Sequence, residues 1–216
     1  MNKKVFLILK ILILVLIIAI LVYLAYTLYI KIQRDRFKKM LEESDSRNYT
    51  IIENSNEEEF TIKVRDFYLL SEAEDEIIWI DADKKQRVIV MPKYQTAVVS
   101  ENDENIVVHS LNHSYLEDYF NDSNQKFKYL GKENGCFKVQ FTEKQTKKET
   151  TLFINETTKL VDKVIFNVGG VDSISTFKTT KNNVSKDDVA MPDIDGYHVT
   201  DSYTSNPSTT MENTPE

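Results

Sequence analysis

The sequence predicts an α+β chain: an N-terminal transmembrane helix, then a curved antiparallel β-sheet, a half-barrel with one or two helices on its concave side. Three observations carry this expectation. Residues 11–30, ILILVLIIAILVYLAYTLYI, contain no charged side chain. Beyond Asn48 most of the chain divides into short apolar runs separated by turn-forming residues, the pattern of antiparallel strands joined by tight turns. Only one stretch in that region has helical spacing, which leaves more apolar sheet surface than one helix can hide.

The elements follow in order. Residues 1–10 form a short N-terminal segment. Residues 11–30 form the membrane span, because twenty helical residues rise about 30 Å, the thickness of the hydrocarbon layer. Tyr23, Tyr26 and Tyr29 stand toward its end, where amphipathic rings favour the interface. The run is longer than the apolar part of a signal peptide and no small-x-small cleavage site follows, so an uncleaved signal-anchor is expected. Residues 31–47 read as a helical stalk with an irregular stripe of Ile32, Phe37, Met40 and Leu41; its basic residues either rest on lipid phosphates or are solvated. Residues 48–198 form the β-rich domain and residues 199–216 a disordered tail.

Within the domain, strands are expected around 49–52, from Phe60 on through Leu70, at 77–80, 87–91 and 96–99. A helix capped by Asn105 is expected over IVVHSLNHSYLEDYF, and strands again at 127–130, 136–141, 150–154, 161–168 and 171–180. Gly169 and Gly170 suit a two-residue hairpin turn, since glycine tolerates positive φ. In that register Val164, Phe166, Val168, Val171 and Phe177 share a strongly apolar face.

Charge limits the partners. Residues before Ser44 hold 8 of the 27 basic and 3 of the 34 acidic side chains, which leaves 19 basic and 31 acidic for the rest. So acidic a domain repels phosphates, and no nucleic-acid partner is expected. The same repulsion from anionic headgroups leaves the helix as the membrane attachment. Residues Lys31, Arg34, Arg36, Lys38 and Lys39 after the span outnumber Lys3, Lys4 and Lys10 before it. That count favours a cytoplasmic domain, whereas long domains translocate largely regardless of charge, so both orientations stay open.

Chemical motifs are sparse. His109 and His113 fall four apart on the expected helix, without the adjacent glutamate of a zinc-protease motif, and read as a surface pair. Asp81 and Asp83 flank a turn, as do Asp193 and Asp195, where aspartate serves local hydrogen bonding. Cys136 is the single cysteine and reads as a small apolar strand residue. No enzyme activity, cofactor or metal is expected.

Two passages carry a family likeness: IIWIDADKKQRVIVMP, with Trp79, and TTLFINETTKLVDKVIFNVGGVDSISTFKTTKNNVSKDDVAMPD, with its Asn183-Val184 exit and short Val189–Pro192 run. Over residues 48–195 the chain resembles the lipoprotein-carrier superfamily, the LolA-type fold. That resemblance implies a sharply curved sheet, helices plugging its concave side, and room for acyl chains or a protein partner. Unlike the family's diffusible carriers this chain keeps a membrane span, and unlike its lipid-anchored receptors it has no lipobox cysteine. The expected function is thus an extracytoplasmic, membrane-anchored binding domain for a lipid or lipoprotein acyl chain, with Trp79, Val164, Phe166, Val168 and Phe177 lining the site. The alternative is an adaptor that docks a cell-envelope enzyme or receptor and has no ligand cavity.

Overall fold

The structure, a computed structural model, describes residues 3–55, 58–101 and 108–201. It divides into two compact units: Met1–Asp45 with Asn112–Ile174, called here the anchor unit, and Ser46–Leu111 with Ser175–Glu216, the second unit.

Helix α1 runs unbroken over Lys3–Ser44. Among the described residues it is the one helix long and apolar enough to cross a membrane, and its most apolar window is wholly unburied. The chain is thus a single-pass membrane protein by length and composition. The stalk is not a separate element. Its Phe37 and Leu41 are fully buried, so this part of α1 is a core helix of the anchor unit rather than a solvated or lipid-resting stem. Burying two such side chains is worth about 1.5–3 kcal/mol each.

Phe37 meets Phe127, Tyr129 and Phe137 at ring-centroid distances of 6.2, 5.3 and 5.3 Å. These rings come from β7 (Gln125–Glu133) and β8 (Cys136–Glu143). In β8 the sequence CFKVQFTE buries Phe137, Val139 and Phe141 and turns Lys138 and Gln140 outward, a period of two. Val139 pairs with Leu152 of β9 (Glu149–Asn155), and Leu152 with Val164 of β10 (Val161–Val168). Of the apolar face expected on the hairpin around Gly169-Gly170, Val164 joins this buried layer, whereas Phe166 and Val171 are exposed. Phe120 closes the cluster, edge-on to Phe141 at 4.9 Å.

The end of α1 has no glycine cap. Asn112, 1% exposed, donates its amide to the Leu41 carbonyl at 2.8 Å and to Ser44 Oγ at 3.0 Å. Its own N–H donates to Asp45 Oδ1 at 2.8 Å. One carbonyl that a helix end leaves without an intrahelical partner is satisfied in this way.

The second unit holds β1 (Asn48–Ser55), β2 (Glu58–Arg65), β3 (Tyr68–Glu72), β4 (Ile77–Asp81), β5 (Gln86–Met91) and β6 (Thr96–Glu101). One sheet face buries Leu70, Trp79, Val88, Val90 and Ala97 beneath Val184 and Val189. The opposite face buries Tyr49, Val64 and Ile80 beneath Val108. Val184 is pinned by Asn48, whose side chain accepts its N–H at 3.0 Å and donates to its carbonyl at 3.1 Å. Arg65 donates to the same carbonyl at 2.7 Å.

Strand β11 (Val171–Lys181) contributes Val171–Ile174 to the anchor unit and the rest to the second. The strand order is β12-β6-β5-β4-β3-β2-β1-β11-β10-β9-β8-β7. β12 (His198–Asp201) runs parallel to β6, which makes the sheet mixed. The expected half-barrel is corrected: the sheet is an open ladder with β12 and β7 as its edges, neither curled nor closed. The surplus apolar surface that argued for curling is covered locally, by α1 in one unit and by short segments in the other.

Three further expectations are corrected. The run from Phe60 to Leu70 is two strands, broken at Asp66, whose φ is 55°. The expected helix shrinks to α2 (His113–Tyr115) and a wide π-turn over Leu116–Asn121. Asn105 lies outside the described residues; His109 is not helical and shares no helix face with His113. Residues 198–201, at the edge of the expected tail, form β12; residues 202–216 lie outside the described residues. The Gly169-Gly170 turn stands as expected, with φ of 64° and 86°.

Candidate functional site

A large groove lies in the anchor unit, where α1 leaves its apolar span. It encloses about 750 Å³. Tyr23, Tyr26, Thr27, Ile30, Lys31 and Arg34 supply the helical wall. They recur at three- and four-residue steps, which places them on one face of α1. Strands β7 and β8 supply the opposite wall, including Phe127, Lys126, Lys128, Gln140 and Thr142. Register explains the strand side: Lys128 pairs with Gln140 and Lys126 with Thr142. Among the described residues, four cationic side chains and no carboxylate line the groove.

Arg34 is held firmly. Its Nε donates to the Phe120 carbonyl at 3.1 Å, and its Nη2 to the carbonyls of Tyr119, Phe120 and Asp122 at 3.1, 2.8 and 2.9 Å. The wide turn over Leu116–Asn121 brings those carbonyls together. They fix the guanidinium plane without neutralising its charge.

A smaller cleft of about 370 Å³ lies in the second unit, lined by Tyr68, Trp79, Asp81, Lys84 and Met191 among others. Asp81 is fully buried. Its Oδ1 accepts the N–H groups of Asp83 and Lys84 at 3.1 and 3.0 Å, which is the local turn bonding expected of it. Its Oδ2 has no hydrogen bond, and the Lys84 ammonium stands 3.5 Å away. Trp79 is 4% exposed, and its indole N–H donates to the Val189 carbonyl at 2.9 Å. It is a core residue with one edge on the cleft.

The residues expected to line a ligand site are dispersed. Val164 is buried in the anchor unit, and Phe166 is exposed at the rim of a depression of about 340 Å³ beside Tyr119 and Thr150. Burial pushes the Tyr119 phenol up, against the opposing effect of its hydrogen bond to Thr150. Phe177 is half-buried in the second unit, and the side chain of Val168 lies outside the described residues. Sequence reading found Tyr23, Tyr26, Lys31 and Arg34 as members of the span and stalk. It missed Lys126 and Lys128; their period-two spacing on either side of Phe127 was the available signal.

Cys136 is half-buried with Sγ 3.9 Å from Asp162 Oδ2. Burial, then the Asp162 charge, pushes its thiol up, which disfavours the nucleophilic thiolate.

No family model matches the chain, and no curated protein matches it. Among solved structures it is similar to an uncharacterized conserved protein from Thermus thermophilus, with a TM-score of 0.50 at 10% identity, covering 77% of this chain and 98% of that one. That likeness concerns the fold alone. A weaker similarity, with a TM-score of 0.32 at 14% identity, is to PNGF-II, of which the chain covers 31%.

Proposed function

We propose that the protein is a membrane-anchored binding domain that accommodates a lipid or a lipoprotein acyl chain, without performing chemistry. The observation that carries this reading is the groove at the end of the span: one wall, through Tyr23, Tyr26 and Ile30, continues the apolar surface of α1. An acyl chain could leave the hydrocarbon along that wall without crossing water, keeping a gain of about 25 cal/mol per Å² of covered apolar area. The likeness to lipoprotein carriers belongs to the same proposal. It is supported by the order of elements: a helix, six strands, a short helical segment, then six strands.

Native mass spectrometry of the full chain, released from nanodiscs of defined lipid, tests this. Retention of one or two lipids per chain is expected. Release of a bare chain from every bilayer composition would overturn the reading.

The domain is placed outside the cytoplasm. External protease on intact cells should remove it, and its survival while a surface marker is digested would reverse the orientation.

The adaptor reading has one observation in its favour. In the second unit both sheet faces are filled by the protein's own side chains, Val184 and Val189 on one and Val108 on the other. That unit is better suited to present a surface than to hold a ligand.

A further inference from the structure

We infer that the groove beside the span selects anionic phospholipids, with Lys31, Arg34, Lys126 and Lys128 forming a cationic wall for the headgroup phosphate. This rests on the lipid-binding reading and adds the headgroup class to it.

Position is the first argument. At 1.5 Å per residue, Ile30 ends the apolar span and Arg34 lies about 6 Å further along α1. The headgroup layer on each side of a bilayer is of the same thickness, about 5–8 Å. The helical wall thus changes from tyrosine and isoleucine to cation at the depth where a membrane changes from acyl chain to phosphate. A free phosphate would leave the Tyr23, Tyr26 and Ile30 half of the groove unused, so the occupant is a lipid.

Charge is the second. The chain is acidic, with 34 acidic side chains against 27 basic ones, yet no carboxylate among the described residues lines the groove. Lys31, Lys126 and Lys128 make no ion pair among the described residues. A concentration of uncompensated cations beside an apolar wall matches an amphiphile with a negative head.

Arg34 is the third. Four hydrogen bonds to backbone carbonyls occupy Nε and Nη2. Nη1 has no hydrogen-bond partner among the described residues. A guanidinium immobilised on one side and free on the other offers two fixed donors to a phosphate oxygen.

The test uses the full chain in nanodiscs of equimolar phosphatidylcholine and phosphatidylglycerol, with retained lipids counted by native mass spectrometry. The wild type should retain phosphatidylglycerol preferentially. The pair Lys126→Gln and Lys128→Gln, at exposed positions on β7, should lower that preference by about five- to twenty-fivefold, since each interfacial cation is worth up to about a fivefold factor. The number of lipids retained should not change. Arg34→Gln should act in the same direction and also loosen the Leu116–Asn121 turn, so the lysine pair is the cleaner variant. Lys144→Gln with Lys147→Gln, in a turn that does not line the groove, should leave the preference unaltered.

Lipid retained without headgroup preference would overturn this inference and leave the lipid-binding reading intact. A bare wild-type chain would overturn both. Displacement of the lipid by millimolar inorganic phosphate would overturn the assignment to a lipid.

Discussion

The two units cover β-sheet in different ways, and the difference bears on where function can reside. The anchor unit uses a long helix. Phe37 projects from α1 into a cluster of aromatic rings on β7 and β8, Leu41 is fully buried one turn on, and the same helix forms the membrane span. The second unit uses short irregular chain: Val184 and Val189 on one face, Val108 on the other. The first of those covers is held by a few polar bonds, the Asn48 clamp on Val184 and the Trp79 bond to Val189. One unit therefore has its core tied to the bilayer, and its groove sits at that junction. The other is held together by strand pairing and small plugs.

The largest effect should come from removing the ring that ties helix to sheet. Phe37→Ala deletes a fully buried side chain touching three aromatic rings, and such truncations cost about 3–5 kcal/mol. Hydrogen exchange of the full chain in nanodiscs should show protection lost across β7–β9 and retained across β2–β5. Val189→Ala should do the reverse at smaller cost, about 1–3 kcal/mol, because fewer atoms leave a shallower core. Uniform loss of protection in either variant would break the comparison by showing one cooperative body.

Much of the strand layout was legible in the sequence, because period-two burial is a local property. β10 spans Val161–Val168 as expected, and the Gly169-Gly170 turn takes the positive φ that glycine permits. The helix at 106–120 was misread for a physical reason. Leu111, Tyr115 and Tyr119 have helical spacing, yet Leu111 packs in the second unit while Tyr119 and the neighbouring Phe120 pack against Phe141 in the anchor unit. Spacing records that residues are buried, not that they are buried together. The half-barrel failed for a related reason. Phe37 and Leu41 belong to the segment expected to be a stalk, so the cover they provide did not enter the comparison of apolar face with available lids. Of the groove, the helical wall could be read as interface-forming. The strand wall could not, since Lys126 and Lys128 join it only through the fold.

The smallest effect sharpens the account of the second unit. Asp188 belongs to the 3-10 turn that carries Val189. Its Oδ2 accepts the backbone N–H of Ser185 at 2.7 Å and the Ser185 hydroxyl at 2.6 Å, while its own N–H donates to Ser185 Oγ at 3.2 Å. The bonds from Ser185 hold its carboxyl below the usual range, and Lys63 assists. A carboxyl depressed in the folded state contributes stability above its ordinary pKa, about 3.9, and loses that contribution as pH falls through the folded value. The side chain is solvent-exposed, so the contribution is small. It can still be read, because Trp79 is the chain's one tryptophan and bonds the Val189 carbonyl beneath this turn. With Asp188→Asn, the denaturant midpoint of Trp79 emission should fall slightly at pH 7, and the gap to wild type should close below about pH 4. A gap that persists undiminished into acid would mean that the carboxylate's charge contributes nothing, and that Val189 is held by packing and the indole bond alone.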